Sequence, residues 1–435
     1  QLKIPPLFFP IFFWFVILIY LILLLVGPKV SDSEQKKYCV RNFEINSFLG
    51  HSMNCDSADF MKNAIEPKKL LEENSIRSAR PGLIWAAHLV AIPITKITET
   101  LNSIYKKKTK INNEGIKIHP KIIYISFILI NFFLLFSSIY FFFKIFGNSI
   151  FNILHYKIWY LWFAQFLVIN EITHQFFWSP HTPILNIFNA VISIYFALKI
   201  IKDKRSNILI YSFFLGLFLL SYASFIISFV FLISIYSVKK FIIENKSLYP
   251  KSIIKIILSI MLFFLPYFIW YSYVVSINGN FYFQNLTEYP LLLWISDYTV
   301  NHGYLKTMTT ILSSFFLFNY YFFKLHILLF FYYIILFFII IPNRKFQSSQ
   351  IIFIITTFYI ICYSMFYTLL GTGAHSRIVT GLLVPILIMF SQFFRENKLP
   401  IKKSKSVMFF SLFSLVIYAI LFANKFGNYT CLLYT

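Results

Sequence analysis

Two carboxylates three positions apart, Asp56 and Asp59, stand in Gly50-His-Ser-Met-Asn-Cys-Asp-Ser-Ala-Asp-Phe60, a polar run in a chain that is 58% hydrophobic. A carboxylate held at a membrane surface can take the proton of a hydroxyl, the work of a general base. The plainer reading is structural: if a helix begins near Asp59, Asp56 lies close to its N-terminus, where negative charge is favoured. His51 is the candidate substrate contact of the same run. Cys39 and Cys55 flank it, and on an oxidising face they could form a disulfide that pins the segment; otherwise they are two thiols. The spacing of Cys39, His51 and Cys55 matches no standard zinc site. Whether a divalent metal joins the carboxylates is open.

Other ionisable residues gather at the edges of apolar runs. Arg77 and Arg80 precede Pro81-Gly82, where guanidinium groups could bind a lipid phosphate through paired N–H donors; ordinary interfacial anchoring is the alternative. Glu171, His174 and His181 cluster near the end of one apolar run. Charged groups in such segments are costly and point to function, although Glu171 and His174 share a helix face and could simply pair. Together they are candidate substrate contacts. Gly371-Thr-Gly-Ala-His-Ser-Arg377 joins two late apolar runs. Its His375 and Arg377 are placed to meet an anionic headgroup, with anchoring again the alternative. Asp297 and His302 are weaker candidates. No phosphate-binding loop, dinucleotide fingerprint or HExxH pair occurs.

The elements that must position these groups are membrane helices. Runs such as 7–26 and 122–143 are long enough to cross about 30 Å of hydrocarbon. The first lacks the short apolar core and small-residue cleavage site of a signal peptide, so it reads as a retained helix. The net charge of +23 arises mostly from short loops between apolar runs, which is the pattern of cytoplasmic loops and not of a nucleic-acid binder. Placing Lys202–Arg205, Lys239–Lys251, Asn343–Lys345 and Arg395–Lys405 inside gives spans near 7–27, 121–146, 157–177, 182–201, 208–221, 223–239, 252–275, 324–341, 350–370, 378–394 and 407–423. The expected architecture is all-α: a polytopic integral membrane helical bundle of about eleven transmembrane helices. Residues 1–435 form one transmembrane domain with extracytoplasmic loops over 28–120 and 276–323. Segments 82–98 and 306–323 are apolar but read as interfacial helices, because a crossing at 82–98 would put every later basic loop outside. Ten of the sixteen acidic residues then fall in the first loop.

In this order of features the chain resembles the GT-C superfamily of membrane glycosyltransferases. Four stretches carry the resemblance: the acidic run with Arg77-Ser-Ala-Arg80-Pro81; Ile128-Leu-Ile-Asn131 through Lys144-Ile-Phe-Gly147; Ser179-Pro-His181-Thr-Pro183 with the basic loop and Ser212-Phe-Phe-Leu-Gly216-Leu217; and Gly373-Ala-His375-Ser-Arg377 through Pro385. The resemblance implies a multi-pass enzyme, a hexosyl or pentosyl transferase. It would pass a sugar, with inversion, from a polyprenyl- or dolichyl-phosphate carrier to a hydroxyl of a glycan, lipid or protein acceptor at the outer face. Asp56, or Asp59, would serve the acceptor hydroxyl, and Arg377 would bind the donor phosphate. The lipid-phosphate sugar is the co-substrate and the bilayer the partner; no resident cofactor is implied. The chain departs from the family in its Asp-x-x-Asp spacing and in His181-Thr182, where an acidic residue is usual. An O-antigen polymerase or ligase, and a transporter or flippase of lipid-linked glycans, are the alternatives. The plasma (inner) membrane of a bacterium suits the chain better than the endoplasmic reticulum, since no eukaryotic targeting signal shows.

Overall fold

The computed structural model describes residues 8–25, 40–44, 50–72, 75–106, 118–147, 158–203, 207–244, 250–281, 293–326, 350–370 and 376–396. The expected spans at 324–341 and 407–423, and Cys39 and His375, fall wholly or mostly outside them. The helices are α1 (Phe8–Leu23), α2 (Cys55–Ile65), α3 (Pro81–Lys106), α4 (Pro120–Ile145), α5 (Ile158–Val168), α6 (Glu171–Phe176), α7 (Ile184–Lys202) and α8 (Ile208–Leu219). They continue with α9 (Phe225–Val238), α10 (Pro250–Asn278), α11 (Leu293–His302), α12 (Tyr304–Leu325), α13 (Gln350–Leu369), α14 (Ser376–Val379) and α15 (Leu383–Glu396). Five helices are long and apolar enough to cross a membrane: residues 81–101 within α3, α4, α7, α10 and 351–369 within α13. The chain is thus a polytopic helical membrane protein. Its one departure from an all-α fold among the described residues is an antiparallel pair, β1 (Val40–Glu44) and β2 (Gly50–Asn54), with Val40 opposite Asn54 and Glu44 opposite Gly50.

The bundle has two chemically different ends. Tyr124 near the start of α4, Trp178 just before α7, and Trp270 late in α10 mark one end. There Tyr124 donates to the Trp178 carbonyl (2.8 Å), Trp178 Nε1 to Leu21 (2.7 Å) and Trp270 Nε1 to Ser78 (2.7 Å). Running away from that end, α4 finishes at Lys144 and α7 at Lys199 and Lys202. The Lys239 amine binds the Ile200 carbonyl there, capping the last turn of α7.

Three elements differ from what the apolar runs suggest. The stretch 157–177 is two helices, because Asn170 serves both ends of a break. Its amide donates to Phe166 (3.2 Å) and Leu167 (2.8 Å) carbonyls, and its oxygen accepts from the Thr173 N–H (3.0 Å). One side chain thus satisfies the orphan backbone groups of α5 and α6. Tyr304–Leu325 is a helix with nearly the bounds of the expected interfacial segment 306–323, but its second half packs on α13, with Phe318 stacked on Tyr367 at 6.2 Å. The third is α3, which extends well past the apolar core of 82–98 and qualifies as a span by length and composition.

The packing of α3 bears on that last point. Its Leu83, Ile84, Ala87 and Ala91 share one apolar cluster with Phe60 and Ala64 of α2 and with Ile123, Tyr124 and Phe127 of α4. Both α3 and α4 therefore begin at the same end of the bundle. A glycine permits the seating of α3: the Gly82 N–H binds the Leu220 carbonyl (2.9 Å), and a Cβ there would lie 2.4 Å from Ser221 Oγ.

Candidate functional site

The β1–β2 pair runs directly into α2, so Asp56 stands in the first turn of that helix rather than at its cap. The helix end favours its charge, but three tertiary contacts define its surroundings. The Arg77 guanidinium donates to Asp56 Oδ1 at 2.7 Å. His181 Nε2 lies 3.7 Å from Oδ2, facing the carboxylate from beyond hydrogen-bond distance. Arg77 also reaches Asp59 Oδ2 at 3.8 Å. Both partners are deeply placed, with side chains 9% and 7% exposed, whereas the Asp56 side chain is 42% exposed.

Each partner is fixed from behind. Arg77 lies in the short 3₁₀ turn Ile76–Ala79, and its guanidinium sits over the Phe60 ring at 4.6 Å. The neighbouring Ser78 carbonyl is held by Trp270. His181 Nδ1 accepts the Thr182 N–H (2.9 Å), so the geometry assigns the ring proton to Nε2, the atom that faces Asp56. Its ring packs between Phe60 (5.5 Å) and Phe176 (5.1 Å). The turn that carries it is held by Asn131 of α4, whose amide donates to the Phe177 (2.9 Å) and Ser179 (3.2 Å) carbonyls. Ser57 and Ser179 hydroxyls, 3.2 Å apart, join α2 to the same turn.

His181 on one side and Arg77 on the other hold the Asp56 carboxyl well below the usual carboxylate range, against the opposing effect of burial. The group stays ionised, and half of it faces out of the protein. This clamp can orient a hydroxyl and receive its proton.

The sequence candidates divide accordingly. Asp56, Asp59, Arg77 and His181 come together. Arg77, expected to be a phosphate ligand, engages the two carboxylates. Arg80 lies at the start of α3, within electrostatic range of Tyr267 on α10. Glu171 is buried at the start of α6, and its carboxylate accepts from Gln175 (2.6 Å). The short helix α14, whose backbone carries Arg377, packs against α6 and so stands on the Glu171–His181 side of the bundle. The disulfide between Cys39 and Cys55, the His51 side chain and His375 lie outside the described residues and side chains. Among the described residues, no group of three or more His, Cys, Asp or Glu is gathered to hold a metal ion. Sequence reasoning did not single out Phe60, Asn131 or Thr182, which position the clamp. Asn131, a lone amide within an apolar run, was the available signal.

Comparison with family models, with curated proteins and with solved structures finds no match to this chain.

Proposed function

We propose that the protein is a membrane glycosyltransferase that moves a sugar from a polyprenyl-phosphate carrier to an acceptor hydroxyl at the Asp56 end of the bundle. The observation that carries the reading is an ionised, half-exposed carboxylate backed by the buried Arg77 guanidinium and the buried His181 imidazole at one end of an apolar bundle. Lys144, Lys199, Lys202 and Lys239 stand at the other end, and the positive-inside rule assigns that end to the cytoplasm. The site then faces outward, and about eleven spans complete the bundle.

In this mechanism the acceptor oxygen attacks the anomeric carbon as the bond from that carbon to the phosphate oxygen breaks. The bonding pair leaves with the phosphate, and the anomeric centre inverts. The hydroxyl proton passes to Asp56. A carboxylate with a depressed pKa is a weak base in the resting state. It suffices because the hydroxyl becomes strongly acidic as it bonds to the electron-poor carbon. Arg77 and His181 keep the carboxylate ionised and aimed. Arg377, at the head of α14, would meet the donor phosphate and stabilise the charge it gains on leaving.

Release of free polyprenyl phosphate from lipid-linked sugar donors in membranes measures this activity whatever the sugar. Asp56→Asn should lower release by at least about 100-fold while insertion and yield stay as in the wild type. Wild-type release from that variant would remove Asp56 from the mechanism.

A further inference from the structure

The short helix α14 runs through the 3₁₀ turn Thr380–Leu382 straight into α15, which leaves its first residues as the free end of that helical run. That end is tied by Tyr363, a fully buried residue of α13 whose hydroxyl donates to the Ile378 carbonyl at 2.8 Å. Ile378 is the residue after Arg377. The ring fits only because position 381 is glycine: a Cβ there would lie 2.1 Å from the Tyr363 hydroxyl oxygen and 2.6 Å from its ring carbon. The hydrogen bond and the missing side chain are separate observations with one consequence, a fixed place for the α14 backbone.

The same tyrosine is reached from the Asp56 side. The Asn186 amide on α7 donates to the Tyr222 hydroxyl (3.3 Å), and its backbone N–H binds the Pro183 carbonyl (2.9 Å) in the turn that begins with His181. Tyr222 in turn is hydrogen-bonded to Tyr367, and Tyr367 to Tyr363. The side chains of Asn186, Tyr222, Tyr367 and Tyr363 thus connect the turn holding His181 to the helix bearing Arg377.

We propose that Tyr363 is a positioning residue that sets Arg377 relative to the Asp56 clamp, and hence the donor phosphate relative to the base. The inference rests on the phosphate role proposed for Arg377.

The test uses the full chain in lipid nanodiscs, with a long-chain polyprenyl phosphate as the binding probe. Tyr363→Phe removes one hydroxyl and should weaken binding by up to about tenfold. Combined with Arg377→Ala it should cause no further loss, because both changes act through one contact. A purely structural role would leave the two losses additive. Gly381→Ala keeps the hydroxyl but displaces the ring, and should repeat the loss. Wild-type affinity in monodisperse Tyr363→Phe and Gly381→Ala, or additive losses in the double variant, overturns the proposal. If Arg377→Ala binds as the wild type does, the phosphate role fails and this inference with it. Weak binding by Arg377→Ala beside normal binding by Tyr363→Phe defeats the inference alone.

Discussion

At the scale of residues, the clamp links charge to stability as well as to chemistry. The folded protein lowers the Asp56 pKa, so the contribution of the clamp to stability is complete above the unfolded carboxylate value of 3.8. It is lost as pH falls through the folded value. Below about pH 4 the melting temperature of the wild type should therefore fall more steeply than that of Asp56→Asn, which has no such proton to take up. Superimposable acid profiles would mean that the clamp contributes nothing to folding. Asp56, Arg77 and His181 were each conspicuous as polar residues beside apolar runs. Their meeting was not legible, since 21 residues separate Arg77 from Asp56 and the neighbouring Ser57–Ser179 contact spans 122. Arg77 shows the consequence: its place before Pro81 suggests a phosphate ligand, and only the fold gives it to a carboxylate.

At the scale of elements, glycine decides where helices meet. A Cβ at Gly216 of α8 would lie 2.2 Å from the Phe263 carbonyl oxygen of α10, backbone that cannot swing aside. The closeness lets Phe229 of α9 stack on Phe263 at 4.1 Å, so three helices lock at one level. Small residues at such crossings are what membrane helices use in place of a hydrophobic driving force. Gly216→Ala should cost about 1–3 kcal/mol, visible as a lower melting temperature in nanodiscs; an unchanged melting temperature would mean that α8 and α10 part without penalty. Hydropathy made the existence of these helices legible, and Gly216 stood out within its run. It did not reveal the break at Asn170, because an asparagine among apolar residues scores as a small dip, whereas its three hydrogen bonds end one helix and start another. Nor did it reveal β1–β2, whose pairing rests on backbone bonds across a polar segment.

At the scale of the whole molecule, everything turns on whether α3 carries the chain across the bilayer. Composition alone permits it. Packing argues otherwise: α3 and α4 start at the same end, around α2, and an unpaired extended chain cannot return through hydrocarbon. The buried positions of α3 are Pro81, Leu83, Ile84, Ala87, Ala91 and Thr95, while Leu89 and Ile97 on the other side are 60% exposed. A helix with one stripe on the protein and apolar residues opposite suits the headgroup boundary, lying along the outer face. In that position it forms part of the rim of the Asp56 site, and every later helix keeps the direction that puts basic loops opposite that site. Single cysteines at Ser103 and Ser206, in a background without native cysteines, test this with a membrane-impermeant thiol reagent. Position 103 should react from the site face and position 206 from the opposite face. Reaction of both from one face would make α3 a crossing helix, reverse every helix after it, and put the basic loops on the outside.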